Sequence, residues 1–256
     1  MDRDSLLRLF DLSGRVAIVT GGSRGIGRSI AGGFAAAGAT VVIASRKADA
    51  CEAAAREIEA EGGQALPVAC HMGRIEDTER LVETTARECG GIDIVVNNAA
   101  NALALYLGQV TPDAWQKSLD ANLRGPVFLV QQALPHLVES GHASVINVLS
   151  GAAYLFASFQ MMYAAGKAGL LATTRSMAAQ LADRGVRVNA LVPGTIDTDM
   201  VRNNPPEVQE AMAKSSLMGR AAHPDELIGA ALLLASDAGS FITGHSLFVD
   251  GGQTPH

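Results

Sequence analysis

Thr20-Gly21-Gly22-Ser23-Arg24-Gly25-Ile26-Gly27 is the stretch whose reading decides the fold of this 256-residue chain. It follows a five-residue apolar run, 16–20, and opens a segment in which Ile26, Ile30 and Phe34 recur every four residues until Gly38 stops it. A strand that turns through glycines into a helix brings free backbone N–H groups and the positive end of the helix to one point, where a pyrophosphate can lie against bare backbone. The spacing is Gly-x-x-x-Gly-x-Gly rather than the Gly-x-Gly-x-x-Gly of the general dinucleotide fingerprint. Placed between a strand and a helix near the start of the chain, it reads as a dinucleotide-binding βαβ unit.

The same alternation continues on both sides of the motif. Short apolar, β-branched runs at 16–20, 40–44, 65–69, 92–97, 144–149, 186–192 and 246–249 predict strands, and their lack of polar alternation predicts burial on both sheet faces. Helical patterns at 25–37, 48–61, 75–88, 112–136, 163–182 and 224–234 lie between them. Right-handed βαβ units in this order predict an α/β, doubly wound, Rossmann-like single domain over residues 1–256, with a seven-stranded parallel sheet flanked by helices. The one long irregular stretch, from Gly194 to about Pro206, reads as a functional loop.

Composition narrows the function classes. With 48% hydrophobic and 18% charged residues the chain has material for a large core, and 20 Lys+Arg against 26 Asp+Glu, with no basic run, excludes a nucleic-acid partner. Cys51, Cys70 and Cys89 form no Cys-x-x-Cys pair, so neither a disulfide framework nor a metal site is expected. Asp2, Asp4, Arg8 and Asp11 interrupt the first apolar residues, the uncharged stretch 140–166 is studded with polar groups, and the chain ends Thr254-Pro255-His256. These features predict no signal peptide, no membrane span and a cytoplasmic protein.

Chemistry is legible at Tyr163 and Lys167. Four residues apart on a helix they share a face, so the ammonium is expected to favour the phenolate and bring the phenol into range for proton exchange near neutral pH. The other tyrosines lack such a partner: four residues after Tyr106 is Val110, and four after Tyr154 is Ser158. Placement just beyond Ser150, which ends the fifth strand, and behind a dinucleotide loop makes the pair a catalytic candidate rather than a solvated helix face.

Further motifs follow in order. Asn97-Asn98-Ala99-Ala100 closes the fourth strand, Asn122 sits in Asp120-Ala121-Asn122-Leu123-Arg124-Gly125, and Pro193-Gly194 closes the sixth strand with Thr198 four residues beyond. From Leu12-Ser13-Gly14-Arg15 to Asp250-Gly251-Gly252 the chain resembles the short-chain dehydrogenase/reductase family, departing at Ala100, where that family usually has glycine. The resemblance implies carbonyl–alcohol interconversion by hydride transfer with a catalytic tetrad of Asn122, Ser150, Tyr163 and Lys167. Ser150 would hold the substrate oxygen, Tyr163 would act as general acid/base, Lys167 would also bind the nicotinamide ribose, and Asn122 would hold a relay water. Taken singly, Ser150 also reads as a strand-end cap and Asn122 as a backbone hydrogen-bonding residue.

Cofactor contacts are expected from Gly21, Ser23, Arg24, Gly25, Ile26 and Gly27 on the first loop and from Ser45, Arg46, His71 and Met72 after the second and third strands. Asn98, Ala99 and Ala100, then Tyr163 and Lys167, and finally Pro193, Gly194, Ile196 and Thr198 complete the set. No acid occupies Ser45-Arg46-Lys47, where an NAD ribose would be bound, whereas Arg24 and Arg46 suit the 2′-phosphate of NADP, so NADPH is expected over NAD. The family often has an Asp after the third strand; here Cys70-His71-Met72-Gly73 leaves His71 as the adenine contact.

That run, the Asn98-Ala99-Ala100 segment and the Gly251-Gly252-Gln253-Thr254-Pro255 ending look most like the NADPH-dependent carbonyl and retinal reductase branch. Leu155, Phe156, Phe159, Met161, Met162, Met200, Met212, Leu217 and Met218 predict an apolar wall for a ketone, aldehyde or alcohol of medium or large size, although core or interface packing would use the same residues. A ketoacyl or enoyl thioester reductase is the alternative enzyme, and a dinucleotide-sensing binding module the alternative to an enzyme. The resemblance further implies a homotetramer joined through 112–136, 163–182 and elements near Leu232 and Phe248, and Leu170, Leu171, Met177 and Leu181 predict burial on more than one side of the second of these helices.

Overall fold

The computed structural model describes residues 1–156, 158 and 160–254. Seven strands, β1 (Val16–Thr20), β2 (Thr40–Ser45), β3 (Gln64–Ala69), β4 (Ile94–Asn97), β5 (Ser144–Val148), β6 (Arg187–Pro193) and β7 (Ser246–Val249), form one sheet in the order β3-β2-β1-β4-β5-β6-β7. Every pairing is parallel, as the unbroken apolar runs predicted. The order reverses between β1 and β4, the kind of switch point beyond whose strand ends open α/β sheets bind ligands.

Helices cover both faces. α1 (Arg3–Arg8) precedes the sheet; α2 (Gly25–Ala36), α3 (Ala48–Ala60) and α4 (Ile75–Cys89) connect the first four strands; α5 (Pro112–Leu119) and α6 (Gly125–Ser140) lead to β5, and α7 (Met161–Leu181) to β6. α8 (Asp199–Arg202), α9 (Pro206–Lys214) and α10 (Ile228–Ala235) fill the crossover to β7. Alternate residues of β1 face opposite cores. Ala17 and Val19 pack with Ile30 and Phe34 of α2 and Leu234 of α10, while Val16 and Ile18 pack with Leu81 of α4, Leu129 of α6 and Leu181 of α7.

Two expectations change. The helix expected over 112–136 is broken by a π turn at Asp120–Arg124, because Pro126 has no N–H to continue the ladder and a Cβ on Gly125 would sit 2.0 Å from the Met72 carbonyl oxygen. The loop read from 194 to 206 contains α8 and leads directly into α9. The first residues form α1, whose Asp2 accepts a hydrogen bond from Ser5 N at 2.7 Å. On α7, Leu170 and Leu181 enter two different core clusters, with Leu171 and Met177 half-buried against them, and the outer face carries exposed Ala165, Ala168, Ala172 and Ala179. Among the described residues no helix is long and apolar enough to cross a membrane, and no cluster of His, Cys, Asp and Glu is placed to hold a metal.

Candidate active site

The glycine loop is a cradle from which side chains are sterically barred. Gly21 has φ +66° and a Cβ there would lie 2.8 Å from Asn98 Nδ2; on Gly27 it would lie 2.3 Å from the Gly21 carbonyl oxygen. Asn98 holds the cradle to β4: its Nδ2 donates to the Thr20 and Gly21 carbonyls at 2.9 and 3.3 Å, and Thr20 Oγ1 accepts from the Asn98 and Ala99 amides. Among the described residues no side chain caps α2, whose Ncap is Arg24, so its first amides remain available to an anion. A pyrophosphate fits this arrangement of bare backbone and free N–H groups.

The other expected cofactor residues stand along the same strand ends. Ser45 closes β2 with its hydroxyl 3.1 Å from Cys51 Sγ, and the exposed Arg46 follows with no ion pair among the described residues. His71 and the buried Met72 follow β3. The imidazole is committed locally, since Nδ1 accepts from Gly73 N at 3.1 Å, and Asp77 accepts from the His71 amide at 2.9 Å. Ala99 and Ala100 follow β4. Pro193 ends β6, and the loop after it turns back on the cradle: a Cβ on Gly25 would sit 3.1 Å from Thr198 Cγ2, while Ile196 is buried beneath. Arg24 is ion-paired with Asp199 at 2.9 Å.

Tyr163 and Lys167 lie on the inner face of α7, 7% and 2% exposed. Lys167 Nζ stands 5.6 Å from the centroid of the Tyr163 ring and donates to the Val148 carbonyl at 2.6 Å. Burial pushes the phenol pKa up, and the hydrogen bond from Ser150 opposes that rise. Burial also lowers the lysine to about 8. This corrects the expected effect of the pair: the ammonium faces the ring and a main-chain carbonyl, so the Ser150 hydroxyl is the group that favours the phenolate. Ser150 is both cap and partner, because Oγ accepts from Ala152 N at 3.2 Å and keeps its proton for the phenol.

Asn122 is fully buried in the π turn. Its Nδ2 donates to the carbonyls of Asn101 and Ser118 at 2.7 and 2.9 Å, and Oδ1 accepts from Asn101 N at 3.0 Å. The side chain therefore ties the post-β4 loop to the turn. Gly166, between Tyr163 and Lys167, lets α7 lie on that turn, since a Cβ would come within 2.8 Å of Asn122 Cβ. Asn101, Ser118 and Gly166 were not singled out from the sequence, where a glycine inside the Tyr-x-x-x-Lys helix is the one visible signal. Of the apolar wall, Met162 belongs to the core, Leu155 and Met212 are half-buried, and Phe156, Met161, Met200, Leu217 and Met218 are exposed. Phe159 lies outside the described residues.

The chain matches, over residues 21–254, the family described as Enoyl-(Acyl carrier protein) reductase. It is 36% identical over 255 residues to "Dehydrogenase/reductase SDR family member 4" of Homo sapiens, covering 98% of this chain and 92% of that one. Against the 3-oxoacyl-[acyl-carrier-protein] reductase of Synechocystis sp. it is 37% identical over 245 residues, 94% of this chain and 98% of the relative. A gluconate 5-dehydrogenase from Burkholderia cenocepacia, solved in complex with NADP and tartrate, superposes with a TM-score of 0.92 at 34% identity, covering 97% and 98% of the two chains. The glycine cradle at the sheet's switch point, the parallel seven-stranded order and these full-length similarities place the chain in the short-chain dehydrogenase/reductase family of oxidoreductases, which act between CH–OH and C=O.

Proposed function

We propose that the chain is an NADPH-dependent carbonyl reductase of apolar ketones or aldehydes, with Ser150, Tyr163, Lys167 and Asn122 as its tetrad. The observation that carries this reading is the buried Tyr163 phenol, hydrogen-bonded to Ser150 with Lys167 alongside. When bound, the nicotinamide supplies the hydride that reaches the carbonyl carbon. Ser150 and Tyr163 hold the carbonyl oxygen, and Tyr163 Oη donates its proton as charge develops there. A phenol whose pKa is raised arrives protonated at neutral pH, which suits reduction. Lys167, still mostly an ammonium below about pH 8, holds the nicotinamide ribose, and Asn122 fixes the π turn beside both residues.

NADPH is favoured by what surrounds the end of β2. Arg46 is unpaired among the described residues and no acid occupies 45–47 to repel a 2′-phosphate. His71 would meet the adenine through the ring edge opposite its committed Nδ1. The exposed Phe156, Met161, Met200, Leu217 and Met218 support an apolar substrate. A ketoacyl thioester is the second reading, favoured by the named acyl-carrier-protein reductase relative and by the intact tetrad; an enoyl substrate, which has no carbonyl oxygen to protonate at the reduced bond, fits that tetrad less well. We further place the working unit as a homotetramer through α6 and α7.

NADPH oxidation by the purified chain, screened against ketones, aldehydes, quinones and ketoacyl thioesters, tests the reading. Turnover of apolar ketones or aldehydes is expected; turnover of ketoacyl thioesters alone would move the assignment to the second reading.

A further inference from the structure

Arg24, on the glycine loop, is held by a carboxylate of the chain itself. Its Nη1 lies 2.9 Å from Oδ2 of Asp199, the first residue of α8. The 2′-phosphate contact proposed above belongs at the end of β2, beside Arg46. Asp199 follows Thr198, which packs on Gly25, so its carboxylate stands beside the glycine loop itself and takes a guanidinium nitrogen that a phosphate would also take. Asp199 is not loosely hung: the carboxylate of Asp197 takes Nε and Nη2 of Arg202 at 2.7 and 2.9 Å across α8, and Thr198 abuts Gly25.

We infer that Asp199 is a specificity-determining residue for the cofactor: its carboxylate competes with the 2′-phosphate for Arg24. The inference rests on the NADPH reading and deepens it. Arg24 paired with Asp199 leaves Arg46 as the one guanidinium free for the phosphate; Arg24 turned to the phosphate leaves Asp199 without its ion pair. Binding of NADPH therefore carries the loss of one ion pair, and binding of NADH does not. By reciprocity, NADPH weakens the Arg24 tie on α8 by the same factor that Asp199 weakens NADPH. Both side chains are largely exposed, 73% and 53%, so the competing pair is of the weak surface kind. Removing it is worth about 1.5- to 5-fold in NADPH affinity, more at low salt than at high.

Fluorescence titration of NADPH and NADH against the wild type, Asp199→Asn, Arg24→Ala and the double variant tests this, with Asp199→Ser as a second replacement. Asp199→Asn and Asp199→Ser are expected to tighten NADPH about 1.5- to 5-fold and to leave NADH unchanged. In the Arg24→Ala background the same substitutions are expected to change neither cofactor. NADPH binding that is unchanged or weaker in the Asp199 variants, in a wild type that still prefers NADPH, would overturn the inference while leaving the cofactor reading intact. An equal gain in the Arg24→Ala background would also overturn it, by showing a general effect of charge. Equal binding of NADH and NADPH by the wild type would remove the cofactor reading, and the inference with it.

Discussion

Lys167 is the one fully buried ammonium the site contains, held by a single carbonyl, and its displacement from an ordinary 10.5 to about 8 is a cost of folding. Between those two values the unfolded chain binds the proton more tightly than the folded one, so stability rises with pH across that window. Relative to Lys167→Met, the wild type is expected to gain stability from about pH 8 to 10.5, by up to ~3 kcal/mol. Denaturant titrations of both proteins at several pH values measure it, and parallel curves would show that the ammonium is solvated. The adjacent phenol gives a second expectation. Tyr163→Phe removes the proton and keeps the ring, so turnover should fall about 10²-fold or more while the melting temperature stays close to that of the wild type. Retained turnover on a substrate that the wild type reduces would exclude Tyr163 as the general acid. Arg46→Ala should weaken NADPH by about 10-fold or more and barely affect NADH, since a charge-assisted hydrogen bond contributes about 1.5–3 kcal/mol; unchanged NADPH affinity would make Arg46 a surface charge only.

Two elements meet at a point where only glycine fits. α7 crosses the π turn at Gly166, where an added methyl would lie 2.8 Å from Asn122 Cβ. Asn122 in turn holds Asn101, so pressure at Gly166 reaches the post-β4 loop. Gly166→Ala is expected to destabilise by about 1–3 kcal/mol despite the better helix propensity of alanine, and to lower kcat. Gly229, on α10, is the contrast, because nothing lies within 4 Å of its added Cβ. Gly229→Ala should stabilise by about 0.5–1 kcal/mol and leave kcat unchanged. Calorimetry of both variants decides whether packing or propensity governs these helices; a stabilised Gly166→Ala would show that the contact is soft.

The whole molecule brings most of the candidate groups to one edge of one sheet, and the π turn and α7 add Asn122, Tyr163 and Lys167. The ends of β1, β2, β3, β4, β5 and β6, and the residues that follow them, carry the cradle, Ser45 and Arg46, His71 and Met72, Asn98, Ser150 and the Pro193–Thr198 segment. Gly21 and Thr198, 177 positions apart in sequence, are thereby brought to the same edge of the sheet. On the outer side of the molecule α7 presents Ala165, Ala168, Ala172 and Ala179, a flat face that allows close helix approach. Light scattering at micromolar concentration is expected to give four times the chain mass; a monomer mass would remove the proposed tetramer.

Sequence alone determined the strands to within about two residues, the glycine cradle and the identity of the Tyr163–Lys167 pair, because each rests on local rules: apolar runs, positive-φ glycines and four-residue helical spacing. What only the tertiary structure decided depends on atoms brought together from distant segments. The Lys167 ammonium turned to Val148 rather than to the phenol, the Asn122 amide was consumed by Asn101, the long helix broke where Gly125 meets Met72, and Arg24 found Asp199. Spacing along a chain fixes which residues share a face. Which of several partners a long side chain takes is settled by the burial and hydrogen-bond competition that the packed fold imposes.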